Sequence, residues 1–126
     1  MSNQDNQDKE KIFEAVKVAY KALDDKMALD IKVIDTVGTS PLADYFLVAS
    51  AGNSSQLRAM AEIVEEELHK KCGVEKTHIE GVATKSWILL DFNFIVVHLF
   101  NEEDREFYDI ENLWKDAEYV DESLLS

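Results

Sequence analysis

The chain has 126 residues, 46% of them apolar, which is enough for one hydrophobic core and close to the usual size of a single domain. Twenty-six acidic residues against thirteen basic ones give a formal net charge of -13, which repels phosphate backbones and argues against direct, specific binding of nucleic acid. The same charge favours basic partners, although acidity can also serve only to keep a protein in solution.

Nothing in the sequence resembles a targeting or membrane segment. The single cysteine, Cys72, excludes an internal disulfide, and the polar first ten residues lack the basic and apolar regions of a signal peptide. Apolar runs such as Trp87–Leu90 and Phe94–Val97 are too short to cross a bilayer as helices. We therefore expect a cytoplasmic protein without a membrane span.

The first part of the chain predicts a helix followed by two strands. Residues 1–8 carry no large apolar side chain beyond the initiator Met and are expected to form a disordered tail. Apolar residues at three- and four-residue spacing predict an amphipathic helix over Lys9–Lys26: Ile12, Val16, Ala19, Tyr20 and Leu23. The β-branched segment Leu29–Asp35 and the apolar run Asp44–Ala51 predict two strands with a loop between them.

A second helix and a third strand are expected next. Asn53, with Gln56 three residues later, resembles a capping box, and Gly73 is a natural end for the helix. A strand over Lys76–Glu80 would complete a strand–helix–strand crossover, in which the two strands are normally parallel. At least part of the sheet should therefore be parallel.

The segment Ser86–Phe100 predicts a β-hairpin whose strands are separated by little more than Phe92 and Asn93. A turn of these two residues would pair Asp91 with Phe94, Leu89 with Val96, and Trp87 with His98. Phe is a poor occupant of a turn that requires positive φ. A longer turn could therefore shift the pairing by one residue, which would exchange the two faces of the hairpin.

The two faces of this hairpin differ in composition. One is entirely apolar and is expected to pack beneath the helices: Ile88, Leu90, Ile95, Val97 and Leu99. The other, here called the mixed face, combines aromatic, apolar and ionisable residues, as recognition surfaces do: Trp87, Leu89, Asp91, Val96, His98 and Phe100. An aromatic anchor beside a charge favours an interface, but His98 could equally be a half-buried imidazole satisfied by a neighbour.

The C-terminal region predicts a last helix and an acidic tail. Asn101 can cap a helix with an acidic first turn, and Phe107, Ile110, Leu113 and Trp114 give that helix an apolar side. The periodicity fades beyond Lys115, so residues 116–126 are interpreted as an acidic C-terminal tail. The order αββαβββα predicts a single α/β domain over residues 9–115, with helices packed on a mixed β-sheet of about five strands.

Common catalytic and metal-binding signatures are missing. The four glycines are isolated, so there is no phosphate-binding loop. His69 and Cys72 could act as base and nucleophile, but nothing visible supplies an oxyanion hole. A metal site would need ligands besides Asp91 and His98, and His78 lies in an uncertain strand. We expect no catalytic residue, no metal and no cofactor.

Four blocks of sequence occur in a specific order: DYFLVASAGNSSQLRAMA at Asp44–Ala61, EG at Glu80–Gly81 followed by WILLD from Trp87, VVHLF from Val96, and REFYDIENLW at Arg105–Trp114. Together these blocks resemble the RsfS/Iojap family of ribosomal silencing factors. The resemblance covers about residues 9–115. The hairpin departs from it, because Asn93 and Phe94 stand where the family usually has a glycine and then an acidic residue.

This resemblance implies a fold related to the nucleotidyltransferases and a function without catalysis. It implies binding to a large-subunit ribosomal protein, L-fourteen, at the intersubunit face, where the factor excludes the small subunit and represses translation when nutrients are scarce. Carried onto matching positions, the partner-binding residues would be Trp87, Leu89 and Asp91 in a central strip, His98, Phe100 and Tyr108 beside it, and Glu111 and Trp114 in support. The acidic charge suits such a partner, because ribosomal proteins are basic.

Two other functions stay open on the sequence. An enzyme of the nucleotidyltransferase type would need a Gly-Ser turn and paired carboxylates for two metal ions. Residues 38–40 (Gly-Thr-Ser) echo the turn faintly, but Asp109 and Glu111 fall on a predicted helix, where a spacing of two points them to different sides. Alternatively, a self-associating adaptor would use the mixed face to form a homodimer, which could also store a silencing factor.

Overall fold

In the part of the chain that the structure describes, six strands form one mixed sheet, and two long helices pack on one side of it. The computed structural model describes residues 2–37, 43–76, 78–81, 87–107 and 116–125. In chain order the elements are α1 (Ser2–Asp25), β1 (Leu29–Asp35), β2 (Tyr45–Ala51), α2 (Ser54–Cys72), β3 (His78–Glu80), β4 (Trp87–Asp91), β5 (Ile95–Asn101), α3 (Glu102–Phe107) and β6 (Glu118–Tyr119), followed by a 3₁₀ turn at Glu122–Leu124. The α/β class with a mixed sheet is confirmed, with one strand more than expected.

The strand order across the sheet is β3-β4-β5-β2-β1-β6. β2 and β5 pair in parallel, and the other described pairs are antiparallel. The crossover through α2 leads from β2 to β3, which lies at the edge beside β4 and not beside β2. β3 still runs in the direction of β2, because two antiparallel pairings connect it to β5. The predicted parallel arrangement is therefore present, but the parallel pair itself is β2 with β5.

The ends of α2 are fixed by the residues that the sequence indicated. The Asn53 side chain accepts a hydrogen bond from the Gln56 backbone N–H at 2.8 Å. The Gln56 side-chain oxygen reaches back and accepts from the Gly52 N–H at 2.8 Å. At the other end Gly73 adopts φ 65°, and its N–H donates to the His69 carbonyl. The predicted cap and stop are confirmed, with Gln56 reaching one residue further back than a standard capping box.

α1 is longer than the sequence indicated. It begins at Ser2, so the helix includes residues 2–8, for which the sequence suggested a disordered tail. These residues are polar but include neither glycine nor proline, so nothing in them breaks the helix. The packed part lies where the periodicity placed it, with Val16, Ala19 and Leu23 buried. In the described parts of the chain, no helix is both long enough and apolar enough to cross a membrane.

The hairpin of β4 and β5 is confirmed, but its pairing differs by two residues from the predicted one. Asp91 pairs with Val96, Leu89 with His98, and Trp87 with Phe100. The connection is longer than two residues, because Phe92 N–H donates to the Ile95 carbonyl at 2.9 Å. Asn93 takes the positive φ of 78°, which Asn tolerates far better than Phe.

A shift of two residues leaves both faces of the hairpin as predicted, because side chains alternate with a period of two. The apolar face lies in the main core, packed beneath α1 and α2: Ile88, Leu90, Ile95, Val97 and Leu99. On the opposite side of the sheet, Val96 and Phe100 of the mixed face join a smaller cluster with Ile34, Ala43, Phe46 and Val48. The sheet therefore has a core on each side, the larger one under the helices.

The C-terminal segment packs on the sheet, although the sequence suggested an acidic tail. β6 pairs antiparallel with β1, and the Val120 N–H donates to the Val33 carbonyl at 2.8 Å. Leu125 is only 3% exposed and belongs to the core under the helices. The segment thus covers the edge of β1 that would otherwise be open.

Candidate partner-binding site

The side of the sheet that carries the mixed face is built from four neighbouring strands, β3, β4, β5 and β2. Residues that lie side by side on paired strands project to the same side of the sheet. The middle row across β3, β4, β5 and β2 is Glu80, Leu89, His98 and Val48. The row on one side of it is His78, Asp91, Val96 and Phe46. The row on its other side crosses only β4, β5 and β2 and is Trp87, Phe100 and Ser50. The central strip suggested by the family resemblance, Trp87, Leu89 and Asp91, is therefore one side of β4.

Trp87 has an exposed edge and a buried base. Its side chain is 46% exposed, although its ring stacks on Phe100 with a centroid distance of 5.3 Å and an interplanar angle of 22°. The indole Nε1–H donates to His98 Nδ1 at 3.3 Å. His98 in turn lies between Phe46, at 5.7 Å, and Phe100, at 6.3 Å. The four rings form a continuous aromatic cluster from which Trp87 projects.

His98 and Phe100 support Trp87 from below and offer little surface themselves. They are 8% and 1% exposed. Burial lowers the pKa of the His98 imidazole to about 4, so the ring is neutral at neutral pH. Because Nδ1 accepts a hydrogen bond, the ring hydrogen is on Nε2. This is the arrangement of an imidazole satisfied by its neighbour, which the sequence left open.

Leu89 and Asp91 lie on β4 with Trp87, and both are half-buried. Leu89 packs against the smaller cluster on this side of the sheet. The Asp91 carboxylate accepts a hydrogen bond from the Asn93 N–H at 2.8 Å, which helps to hold the turn into β5. Asp91 therefore has a local structural role in addition to any role in binding.

Two ionisable residues of β3 lie beside this strip, and sequence reasoning did not include them in the site. Glu80 is paired with Leu89 and His78 with Asp91, and both are exposed. Their side chains are hydrogen-bonded to each other at 2.9 Å. The spacing of two residues in a short strand was visible in the sequence, but the register that sets them beside β4 was not.

Arg105 is a third residue whose importance the sequence did not reveal. It is 4% exposed, and its Nη1 donates to the Asp30 carbonyl at 2.8 Å and to the Ser50 hydroxyl at 2.9 Å. Asp30 has φ 48° and lies where the pairing of β1 with β2 is irregular. Arg105 thus ties α3 to β1 and β2 at the end of the mixed face.

Three of the expected partner-binding residues, Tyr108, Glu111 and Trp114, lie outside the described residues. So do residues 38–40 and Asp109, on which the nucleotidyltransferase alternative depended. Within the described ranges, no group of three or more His, Cys, Asp and Glu residues could hold a metal ion.

The other catalytic alternative, a base and nucleophile pair at His69 and Cys72, finds little support in their surroundings. Burial raises the pKa of the Cys72 thiol, which disfavours the nucleophilic thiolate. The His69 ring lies 3.3 Å from the carboxylate of Glu75.

Comparisons with known proteins identify the family to which this chain belongs. Residues 9–126 match the family model described as "Ribosomal silencing factor during starvation". Ribosomal silencing factor RsfS of Bacillus subtilis is 36% identical over 106 residues, which are 84% of this chain and 89% of the relative. A mouse protein named mitochondrial assembly of ribosomal large subunit protein 1 is 36% identical over 89 residues, 69% of this chain and 39% of that longer protein.

The fold is also found in a solved structure of a related protein. A crystal structure of a Chromobacterium violaceum protein matches with a TM-score of 0.76 and 36% identity, covering 82% of this chain and 86% of that one. The sequence comparisons and the structure comparison therefore each match most of the chain. As the resemblance predicted, the chain belongs to the RsfS family of ribosomal silencing factors, which act in the regulation of translation.

Proposed function

We propose that this chain binds the large ribosomal subunit through ribosomal protein L-fourteen and sterically blocks association with the small subunit, repressing translation when nutrients are scarce. The observation that carries the proposal is the half-exposed indole of Trp87, fixed on buried rings beside Leu89 and Asp91. Occupying the intersubunit face is enough to exclude the small subunit, so the mechanism needs no catalytic step and no cofactor. The site of action is the cytoplasm, where the bacterial subunits join.

The apolar part of the contact is Trp87 with Leu89. A Trp that is 46% exposed but stacked on a buried ring offers a large contact area while losing little side-chain freedom on binding. Such residues are the usual anchors of protein interfaces, and each contributes about 2 kcal/mol or more when it enters a pocket of the partner. Leu89, in the next position on this side of β4, extends the apolar area.

The charged part of the contact is Asp91 with Glu80. Both carboxylates lie on the same side of the sheet, on the adjacent strands β4 and β3. A Lys or Arg of a basic ribosomal protein can form a charge-assisted hydrogen bond with either of them. The formal net charge of -13 steers the whole molecule towards such a protein and away from exposed RNA.

Co-sedimentation with separated ribosomal subunits tests the proposal. Trp87→Ala and Asp91→Ala are each matched with a control outside the mixed face. Leu124→Ala shortens an exposed apolar side chain next to Leu125, and Glu66→Ala removes an exposed carboxylate from α2. The wild type and both controls should travel with the large subunit and prevent the small subunit from joining it. Trp87→Ala should weaken binding at least about tenfold, and Asp91→Ala about fivefold.

If the wild-type protein travels with neither subunit, the proposal is wrong. Sedimentation of the free protein at several concentrations then tests the homodimer, which would use the same exposed Trp87. If the wild type binds but Trp87→Ala and Leu124→Ala bind equally well, the large subunit is the partner and the mixed face is not the site.

A further inference from the structure

We propose that His98 is a positioning residue for partner binding, which holds the Trp87 indole in the orientation that meets the partner. The proposal rests on the proposed function, in which Trp87 is the anchor of the contact. The sequence suggested His98 as one of the contacting residues. At 8% exposure it has almost no surface for a direct contact, but its Nδ1 accepts a hydrogen bond from the exposed Trp87.

Two residues, Phe100 and His98, together determine the orientation of the Trp87 indole. Phe100 is the direct cross-strand partner of Trp87, and the stack between them fixes the plane of the indole. A stack alone does not decide which edge of the ring points outwards, because the second side-chain torsion of Trp has broad, roughly two-fold preferences. The hydrogen bond from Nε1–H to His98 Nδ1 runs diagonally to the next strand position and selects one of the two orientations.

The environment of His98 suits it to accept this hydrogen bond. The ring lies between Phe46 and Phe100, which hold it in place on β5. Its burial keeps the imidazole neutral at neutral pH, so that Nδ1 has a free electron pair for the indole N–H. An aromatic ring without a nitrogen at this position would keep the packing but would leave the indole N–H without that acceptor.

Positioning matters because a side chain that is already ordered loses less entropy when the partner binds. Rigid aromatic anchors raise affinity mainly in this way. The structural prediction is specific: removing the acceptor should loosen Trp87 without unfolding the sheet, and the loss of affinity should depend on the presence of the indole N–H.

The first test uses the free protein and no ribosome. In a ¹⁵N-labelled sample, each of the two tryptophans gives an indole N–H resonance, and Trp87→Phe identifies the one that belongs to Trp87. His98→Phe keeps a ring and removes the acceptor, whereas His98→Asn places a carbonyl oxygen close to the position of Nδ1. In His98→Phe the Trp87 resonance should shift and its N–H should exchange with water about tenfold faster. In His98→Asn the resonance should stay near its wild-type position.

The second test measures affinity for the large ribosomal subunit with the same variants. His98→Phe should weaken binding about fivefold, and His98→Asn less than about twofold. Trp87→Phe removes the indole N–H, which is the donor of the same hydrogen bond. Because Trp87 is exposed, this variant breaks the hydrogen bond without changing a buried residue. Adding His98→Phe to Trp87→Phe should cause little further loss, because the two changes break the same hydrogen bond.

The outcomes separate this inference from the function on which it rests. If His98→Phe leaves the Trp87 resonance unchanged, or binds like the wild type while Trp87→Ala does not, His98 has no positioning role and the proposed function stands. An additive loss in the double variant also overturns the positioning role. If Trp87→Ala binds like the wild type, the proposed function fails, and the role of His98 in binding fails with it.

Discussion

At the scale of single residues, two glycines adopt the same left-handed backbone conformation in very different surroundings. Gly73 ends α2 with φ 65°, and Gly81 follows β3 with φ 84°. A Cβ atom added to Gly73 would have nothing within 4 Å, whereas one added to Gly81 would lie 2.0 Å from the Trp87 carbonyl oxygen. Gly81 therefore allows the end of β3 to pass close to the beginning of β4, where the proposed binding strip starts.

Alanine at these two positions should have unequal effects on stability. Gly73→Ala carries only the cost of a left-handed alanine and should lower the free energy of unfolding by about 1 kcal/mol. Gly81→Ala adds a clash with backbone that cannot move aside easily, and we expect a loss of about 3 kcal/mol or more. Urea denaturation of the two variants and the wild type measures both values. Equal losses would mean that β3 can move away from Trp87 at little cost.

The residues of the site could be predicted in part from the sequence. Alternation along β4 and β5 was enough to place Trp87, Leu89 and Asp91 on one side, because a strand has a period of two. The pairing was not predicted, since it depends on a turn in which Asn93, and not Phe92, takes positive φ. The sequence left the burial of His98 undecided, because it depends on Phe46, more than fifty positions away in a parallel strand.

At the scale of elements, the C-terminal segment is the part for which local sequence patterns were least informative. β6 has only two residues, which is too short for an alternating pattern to be recognised. Its position depends on pairing with β1 and on Leu125, which reaches the core between the sheet and the helices. The longer elements α2 and β1 were predicted well, because each is long enough for the spacing of its apolar residues to be recognised. In α2 the buried residues recur every three or four positions, and in β1 Ile31 and Val33 are two positions apart.

Two adjacent leucines test whether this segment is an integral part of the fold. Leu125 is 3% exposed and Leu124 is 59% exposed. Leu125→Ala should lower the free energy of unfolding by about 2 to 3 kcal/mol through lost burial and a cavity. Leu124→Ala should change it by less than about 0.5 kcal/mol. Chemical denaturation gives both numbers, and a Leu125→Ala variant as stable as Leu124→Ala would show that the segment behaves as a tail in solution.

At the scale of the whole molecule, the fold places the larger core and the proposed recognition surface on opposite sides of the sheet. The two long helices and the larger core lie on one side of the sheet. The aromatic cluster under Trp87 lies on the other, with the smaller core. This separation was foreseeable from the unlike faces of the hairpin, but the sixth strand and the order of the strands were not, because both depend on contacts between distant parts of the chain. If the mixed face is the binding site as proposed, changes on its outer part should therefore alter binding with little effect on the main core.

The net charge of -13 predicts how ionic strength should act on the proposed binding to the large subunit. Attraction between an acidic factor and a basic ribosomal protein acts over distances that salt screens, so it should mainly speed association. Raising KCl from about 50 to about 300 mM should lower the association rate constant about tenfold and change the dissociation rate constant much less.

Two variants of the central strip separate the contribution of the apolar contact from that of charge. Association and dissociation are both followed by stopped flow. Trp87→Ala removes apolar contact area, so it should raise the dissociation rate constant at every salt concentration and leave the salt dependence of association unchanged. Asp91→Asn removes one charge of the strip and should make association less sensitive to salt. If association is independent of salt for the wild type, the acidity of this chain serves its solubility, and the apolar contact around Trp87 alone has to account for recognition.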